Sequence, residues 1–320
     1  MEKTSDLTSL DYWIIDNCSS EKNLNSATYG IYDNHINSLK TKMLQNELNK
    51  FVAIIPEDIK TELLSWTIAD PGSVRDFAKE MFQRVDFDHT GISGGNNSSD
   101  SLKCSIKNES FLIPPYSSFI CGDVAEGCRK LPEDVRFDVL VADPPWWNKY
   151  IRRLKSANNK LSYSMMYNED IASIPVQNLL SENCLIAVWC TNSPTNIKAV
   201  KNLIFPKWGI NYIATWFWVK IQTDLSPICD FSAGSRKQPY ERIILGSVGN
   251  IRVPDSKVII GVPSALHSHK PPLIELLKPY LKVEEPRTLE LFARYLLPNT
   301  TSLGFEPLKW QHISLYEKIK

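Results

Sequence analysis

Four consecutive residues could do chemistry together: Asp143, Pro144, Pro145 and Trp146, which follow the apolar run FDVLVA. A residue before proline is held extended, so we expect the Asp143 carboxylate to project beyond the end of that run. Each proline lacks a backbone donor but keeps its carbonyl acceptor, and the tryptophan adds a flat apolar face. A planar ring with an exocyclic amino group fits this arrangement, because its two N–H groups find acceptors at Asp143 and Pro144 while the ring stacks on Trp146. The alternative is a turn that simply ends a strand, with the tryptophan in the core.

A basic segment, WNKYIRRLKSANNKL at residues 147–161, follows directly and contains no acidic side chain. Runs of charge usually form a solvated face, which is the alternative here. Positive charges interleaved with aromatic rings beside a reactive site also suit a loop that follows the phosphates of a nucleic acid. The residues that we assign to substrate binding in this segment are Trp147, Lys149, Arg152, Arg153 and Lys155.

The elements that position these residues follow from the apolar pattern after residue 103. Continuous apolar runs such as LIAVW and FDVLVA, interleaved with helical stretches, predict a sheet covered on both faces and therefore an α/β fold. In open sheets of this kind, ligands bind beyond the carboxyl ends of the strands. We predict strands at 118–121, 137–142, 184–190, 212–220, 242–247, 258–262 and 288–292, and helices at 169–181, 194–205 and 271–281.

The first third of the chain has a different pattern of apolar residues. Residues 36–85 carry apolar positions at helical spacing, which predicts a smaller helical domain. The stretch GISGGNNSSDS at residues 91–101 loses this periodicity and predicts a flexible linker. We therefore divide the chain into a helical N-terminal domain of residues 1–102 and an α/β domain of residues 103–320.

The charge of the chain excludes one class of protein. The 320 residues hold 36 basic and 36 acidic side chains, so the formal net charge is zero and a uniformly polybasic nucleic-acid binder is excluded. The net charge of zero results from two opposite contributions. Acidic side chains outnumber basic ones before residue 110, and basic side chains outnumber acidic ones after it.

Neither a membrane segment nor a metal site is expected. No stretch of about 18 or more apolar residues occurs, and the first residues lack the pattern of a secretion signal, so we expect a chain that acts away from membranes. The seven cysteines include no C-x-x-C pair, which is typical of free thiols in a reducing compartment. His267 and His269 form the only compact histidine pair, without cysteine or carboxylate at ligand spacing.

Taken together, the motifs resemble the DPPW adenine-N6 methyltransferases, the family of the catalytic subunit of the eukaryotic mRNA adenosine methyltransferase. The resemblance covers about residues 117–306, and within the family the PYE-x-x-x-LG segment and the helical N-terminal region resemble the branch of methyltransferase-like protein 4. Its segments occur in the family's order: ICGDV at 120–124, VLVADPPW at 139–146, LSYSMM at 161–166, AVWCTN at 187–192, FWVK at 217–220, PYERIILG at 239–246, SHKPP at 268–272 and LELFAR at 289–294.

The resemblance implies a Rossmann-like methyltransferase fold with permuted motif order and S-adenosylmethionine as the cofactor. The permuted order explains why G-x-G-x-x-G is absent. By resemblance, the methionine end of the cofactor lies near Asp143 and Lys270. Its adenine is assigned to Cys121, Gly122, Asp123 and Val124, and its ribose to Glu290, Arg294, Asn299 and Glu306. The sequence departs from the family around the ribose, where Ala293 replaces a common glycine and Phe305 a frequent asparagine.

On the substrate side, Tyr163 and Glu241 match family positions that line the pocket of the target base, with Met165 and Tyr240 as neighbours. Taken alone, Tyr163 would be interpreted as a loop aromatic. Glu241 would be interpreted as a surface strand residue paired with Arg242.

The resemblance thus predicts an S-adenosylmethionine-dependent adenine-N6 methyltransferase that acts on RNA without a metal. The mRNA enzyme of the family works as a heterodimer, but because this chain carries its own extra domain, we expect a monomer. Within the branch, the predicted substrate is internal 2′-O-methyladenosine of U2 small nuclear RNA, which places the protein in the nucleus, with the cytoplasm as a further location. One alternative is a DNA adenine methyltransferase. Another is an inactive family member that only binds RNA, although the intact tetrapeptide counts against it.

Overall fold

The computed structural model describes residues 13–15, 32–65, 80, 88–147, 165–232, 237–264 and 269–315 of the chain. The strands in these ranges are β1 (Trp13–Ile15), β2 (Ser93–Asn96), β3 (Leu102–Ile106), β4 (Glu109–Ile113), β5 (Ser117–Cys121), β6 (Phe137–Ala142), β7 (Leu180–Cys190), β8 (Asn211–Lys220), β9 (Tyr240–Ser247), β10 (Val258–Gly261), β11 (Thr288–Leu291) and β12 (Thr300–Gly304). The α-helices are α1 (Tyr32–Ile54), α2 (Glu57–Ser65), α3 (Val124–Lys130), α4 (Asn168–Ala172), α5 (Pro194–Ala199), α6 (Phe205–Lys207) and α7 (Ile274–Leu277).

Ten of these strands form one sheet, in the order β1-β10-β8-β9-β7-β6-β11-β12-β5-β2. The five neighbours β7, β6, β11, β12 and β5 pair in parallel, whereas β9 runs antiparallel to both β7 and β8. Strands β3 and β4 form a separate hairpin. This mixed sheet with helical connections confirms the predicted α/β, Rossmann-like fold.

Both faces of the sheet are covered, as its continuous apolar strands predicted. On one face, residues such as Leu140 of β6 and Ile186 of β7 share a buried cluster with α3, α4 and the π-helical turn Val200–Ile204. On the other face, Val139 and Leu185 pack with α7. Neighbouring residues of a strand point to opposite faces of the sheet. Val139 and Leu140 are therefore both buried, one on each face, and so are Leu185 and Ile186. Among the described residues, no helix is long and apolar enough to cross a membrane.

The predicted flexible linker is corrected by the structure. Ser93–Asn96 form β2, which pairs with β5 at the edge of the large sheet. A Cβ added to Gly95 would come within 2.5 Å of the Ser117 carbonyl oxygen, so this glycine permits a close approach of two strands and does not mark a free loop. The side chain of Asn96 is buried and donates to the carbonyl of Ile113 at 3.2 Å.

Helix α1 also packs directly on the sheet. Its buried residues Leu44, Leu48 and Phe51 share a hydrophobic cluster with Phe217 of β8 and Val258 of β10. In the described part of the chain, the helical N-terminal region therefore shares its core with the α/β region. The domain boundary at residue 102 stays a prediction. The hydrophobic cluster of α1, β8 and β10 contains residues from both sides of this boundary.

Two predicted helices are shorter than expected, and five strands of the described residues, β1 to β4 and β12, were not predicted. The predicted helix 169–181 is α4 plus the 3-10 turn Gln177–Leu179, because Pro175 cannot continue a helix. The predicted helix 271–281 is α7 plus the 3-10 turn Lys278–Tyr280, with a proline inside the turn. Strand β12 gave no signal because its Thr-Thr-Ser sequence lacks an apolar run, although Thr300 and Ser302 are buried.

Candidate active site

Charged and polar side chains meet at one edge of the sheet. Asp143 follows the carboxyl end of β6, Asn192 follows β7, and Lys220 ends β8. Glu241 lies at the start of β9, which runs antiparallel and therefore begins at the same edge. Lys270 reaches this edge from the segment before α7. The carboxyl edge of an open α/β sheet is the usual place for a ligand site.

Lys270 joins two carboxylates. Its Nζ lies 2.7 Å from Oε2 of Glu241 and 3.6 Å from Oδ2 of Asp143. Lys220 contacts the other carboxylate oxygen of Glu241, so that Glu241 lies between two ammonium groups. The ammonium of Lys270 also lies 5.4 Å from the ring centre of Trp189, which gives it an apolar wall on one side.

These contacts determine the charge state of the cluster. Burial raises the pKa of Glu241, but the charges of Lys270 and Lys220 outweigh burial and hold the pKa at about 2. Burial lowers the pKa of Lys270, whereas the carboxylates of Asp143 and Glu241 outweigh it and leave the pKa above its usual value. At neutral pH, Glu241 is thus an anionic acceptor beside a charged Lys270.

The backbone of the tetrapeptide forms a tight turn. The amide of Trp146 donates to the Pro144 carbonyl at 2.8 Å, which leaves that carbonyl one further lone pair for a ligand. The indole Nε1 of Trp146 donates to the Trp189 carbonyl at 3.1 Å, and the side chain is only 7% exposed. The ring face that we expected to stack on a base is therefore largely covered, and Trp146 belongs to the core beneath the turn.

The turn after β5 joins this strand directly to helix α3. Gly122 has a φ of 148°, and its amide donates to the Gly304 carbonyl at 2.8 Å. Asp123 caps α3 by accepting from the Glu126 amide at 2.9 Å. Cys121 and Val124 are buried, so only their backbone can face a ligand. Burial, followed by the charge of Asp88, raises the pKa of the Cys121 thiol to about 12.

Glu290 is the third carboxyl group at this edge, and its residue is half-buried. It lies in β11 opposite Val141 of β6 and Ser302 of β12. Burial, with the charge of Asp143 as a further cause, raises its pKa to about 8. Its Oε2 is buried and has no hydrogen-bond partner among the described residues. A neutral carboxyl group with an open hydrogen-bonding atom fits a polar ligand such as the ribose of S-adenosylmethionine.

Of the other ribose candidates, Arg294 and Glu306 follow the carboxyl ends of β11 and β12 at this edge. Glu306 is ion-paired with Lys309 at 2.8 Å. The assignment of Asn299 is corrected: it precedes β12 and therefore lies at the amino end of that strand, at the opposite edge. Its backbone amide donates to the Pro115 carbonyl at 3.2 Å.

The substrate-side candidates are only partly described. Met165 is half-buried, whereas Tyr240 is buried and packs its ring against Phe217 and Phe231, on the opposite face of β9 from Glu241. Tyr240 therefore belongs to the core rather than to the charged cluster. Lys149, Arg152, Arg153, Lys155, Tyr163 and His267 lie outside the described residues.

Two residues of this edge, Lys220 and Asn192, had no assigned role in the sequence analysis. Lys220 ends the FWVK segment, and its position at the end of a predicted strand was the available signal. Asn192 donates to the Tyr240 carbonyl at 2.8 Å and accepts from Nε of Arg242 at 3.0 Å. Arg242 is thus bound on the other face of β9, and the suggested pairing of Glu241 with Arg242 is replaced by the two lysines. Within the described residues, no group of three or more His, Cys, Asp or Glu could hold a metal ion.

Comparisons with known proteins agree with this geometry. The family model of MT-A70 matches residues 137–306, which include the tetrapeptide, Glu241, Lys270 and Glu290. The chain is 38% identical to human N(6)-adenine-specific methyltransferase METTL4 over 234 residues, which is 69% of this chain and 48% of the relative. It is 39% identical over 213 residues to a Caenorhabditis elegans protein named DNA N6-methyl methyltransferase, covering 63% of this chain and 55% of the relative.

A fungal relative carries a different name. The N6-methyladenosine RNA methyltransferase MTA1 of Cryphonectria parasitica is 36% identical over 210 residues, covering 63% of this chain and 61% of the relative. The chain thus spans about half the length of the curated relatives it matches. The matched segment contains β6 to β12 with the charged edge of the sheet, and on these grounds the chain belongs to the MT-A70 family.

Proposed function

We propose that this protein is an S-adenosylmethionine-dependent adenine-N6 methyltransferase that acts on RNA. The observation that carries the proposal is the position of Asp143, which leaves β6 at the carboxyl edge with Lys270 Nζ 3.6 Å from its carboxylate. Relatives that share this segment are named as adenine-N6 methyltransferases.

The residues of the site would hold the cofactor along the edge of the sheet. The Gly122 turn and the segments that follow β11 and β12 would hold its nucleoside, and the ammonium of Lys270 would suit its carboxylate. When bound, S-adenosylmethionine supplies a methyl group on a positively charged sulfur. The carboxylates of Asp143 and Glu241 favour that positive charge, and Glu290 offers a neutral hydrogen-bonding group.

The protein's part in the reaction is to orient and polarise the amino group. The nitrogen lone pair of adenine is delocalised into the ring, so the free amino group is a poor nucleophile. Hydrogen bonds from its two N–H groups to Asp143 and the Pro144 carbonyl favour a pyramidal nitrogen that points its lone pair at the methyl group. Asp143 and the Pro144 carbonyl would thereby hold the nitrogen in place to receive the methyl group that the cofactor would supply, and the Asp143 carboxylate would take up the proton that the nitrogen loses.

For the substrate, we extend the proposal to N6 methylation of internal 2′-O-methyladenosine in U2 small nuclear RNA. Its support is the resemblance to the METTL4 branch and the 38% identity to a METTL4 protein. A nuclear location and action as a monomer belong to the same proposal. They can be tested by imaging the tagged chain and by light scattering of the purified protein.

DNA is the second candidate substrate, because a relative of similar identity is named as a DNA methyltransferase. A side-by-side assay separates the candidates: RNA strands that carry adenosine or 2′-O-methyladenosine at one position, and the matched DNA, are each incubated with labelled S-adenosylmethionine. The proposal expects most methyl transfer to 2′-O-methyladenosine RNA. Preferred transfer to DNA would replace the substrate but keep the chemistry, and no transfer to any adenine would contradict both.

A further inference from the structure

Two aromatic rings lie side by side next to the tetrapeptide. Trp147 directly follows Trp146, and Tyr167 directly precedes α4. The two ring planes differ by 18°, and their centroids are 6.1 Å apart. Trp147 is half-buried, whereas Tyr167 is 58% exposed. Tyr167 thus presents an aromatic ring to solvent beside the tetrapeptide.

The backbone holds both rings to the tetrapeptide. The amide of Met166 donates to the Pro145 carbonyl at 2.9 Å, and the amide of Trp147 donates to the Met166 carbonyl at 3.2 Å. These two bonds form a short bridge between the chain at Trp146 and the chain at Met166. The amide of Tyr167 donates to Oδ2 of Asp170 at 3.3 Å, which fixes the start of α4. The rings therefore keep their place relative to Asp143 without relying on contact with each other.

The ring geometry suits a third planar group. Centroids of offset-stacked aromatic pairs lie about 4.5 to 7 Å apart, so at 6.1 Å the two rings overlap only in part and each leaves some of its face uncovered by the other. Nucleobases stack on aromatic side chains with little dependence on sequence, because every base has a flat face. A nucleotide chain whose adenine enters the site at Asp143 brings its neighbouring base close to Trp147, which is only four residues away.

The geometry points to Trp147 and Tyr167 as a stacking platform for the base of the nucleotide next to the target adenine. This assignment rests on the proposed function, because it takes a nucleic-acid strand as the occupant. The platform binds the substrate strand and takes no part in bond making. Tyr167 is therefore a substrate-positioning residue whose removal affects strand affinity more than it affects cofactor affinity.

The test measures the affinity of fluorescently labelled nine-nucleotide RNA strands with one central adenosine, by anisotropy. Two probes are used: strands with normal neighbours, and strands in which both neighbours of the adenosine are abasic. The variants are Tyr167→Ala and Tyr167→Phe, with Tyr212→Ala as the matched control, because Tyr212 is also an exposed tyrosine but lies at the start of β8, at the opposite edge of the sheet.

Stacking by one base predicts that Tyr167→Ala weakens the Kd for the normal strand about tenfold, while Tyr167→Phe and Tyr212→Ala stay within about twofold of the unmodified protein. On the abasic probe, Tyr167→Ala and the unmodified protein should bind alike, since the base that stacks is gone. The Kd for S-adenosylmethionine and the melting temperature should not change.

An unchanged Kd of Tyr167→Ala for the normal strand would overturn the assignment, and so would an equally large loss on the abasic probe. Methyl transfer is measured separately on the same strands. A protein that binds them through Tyr167 but transfers no methyl group to adenine would refute the proposed function and leave the platform in place.

Discussion

Glu241 and Glu290 lie at the same edge of the sheet but are held in opposite charge states. Glu241 lies between the ammonium groups of Lys270 and Lys220, and its pKa falls to about 2. The carboxyl group of Glu290 is buried with Asp143 as its charged neighbour, and its pKa rises to about 8. At neutral pH, the glutamate of β9 is thus an anion, whereas the glutamate of β11 is a neutral acid. The comparison teaches that the cations brought by distant segments, rather than burial itself, decide what each glutamate can do.

The largest effect is expected from removing the shared cation with Lys270→Met. The carboxylate of Glu241 would then keep only Lys220 as a positively charged partner. The carboxylate of Asp143 would lose the ammonium group that lies 3.6 Å from it. We expect kcat/KM for methyl transfer to fall about 100-fold, the usual size for loss of one electrostatic group in an active site. The acid limb of the pH–rate profile should also move to higher pH, because Lys270 is the largest cause that lowers the pKa of Glu241.

Lys270→Arg is the matched control for this variant, since it keeps the charge. It should recover part of the activity and keep the acid limb near its original position. A Lys270→Met protein with unchanged kcat/KM would show that the cation plays no part in the reaction.

The second effect concerns stability and tests the neutral state of Glu290. Below pH 4.5 the group is protonated in both the folded and the unfolded chain, whereas between pH 4.5 and about 8 only the folded chain keeps the proton. The free energy of unfolding should therefore fall as pH rises through this window and level off above it. Glu290→Gln should lack this fall and be more stable than the unmodified protein by about 4 to 5 kcal/mol at pH 8.5.

Chemical denaturation between pH 5 and 9 measures this difference. Glu133→Gln, at an exposed position, is the control and should follow the unmodified protein at every pH. If the Glu290→Gln and unmodified proteins kept a constant difference across the whole range, Glu290 would be ionised in the folded chain and the comparison with Glu241 would fail.

The smallest effect is expected from Lys220→Met. Lys270 still neutralises Glu241 in this variant, so the pKa of Glu241 should rise but stay below its usual value. We expect kcat/KM to fall about tenfold, equivalent to about 1.4 kcal/mol. Parallel kinetics with Lys270→Met check the order, and a larger loss in Lys220→Met would assign the main role to the other cation.

Much of the fold could be predicted because apolar runs report burial. The run FDVLVA is β6 with its predicted bounds, and the tetrapeptide lies at its carboxyl end as expected. β12 was missed because threonine and serine give no apolar signal, and this omission placed Asn299 in the site instead of at the opposite edge. The glycines of the expected linker were misinterpreted because flexibility and close strand approach require the same residue.

The sequence allowed us to name several residues of the site but not the ion pairs that they form. Asp143 was assigned because its motif ends a predicted strand, whereas Glu241, Lys270 and Glu290 were assigned through the family resemblance. Their pairing could not be predicted, because the antiparallel insertion of β9 decides that Glu241 meets Lys220 and Lys270 and not Arg242. The burial of Trp146 depends on Trp189 in β7, which is distant in the chain.

The central claim is that Asp143 orients an adenine amino group for methyl transfer. Its most direct test is Asp143→Asn, assayed with labelled S-adenosylmethionine and 2′-O-methyladenosine RNA, with mass spectrometry of the digested RNA for N6-methylated adenosine. Asp138→Asn, at the opposite end of β6, is the control. The account predicts that product formation falls at least about 100-fold in Asp143→Asn and stays near the unmodified level in Asp138→Asn. N6 methylation by Asp143→Asn at the unmodified rate would contradict it.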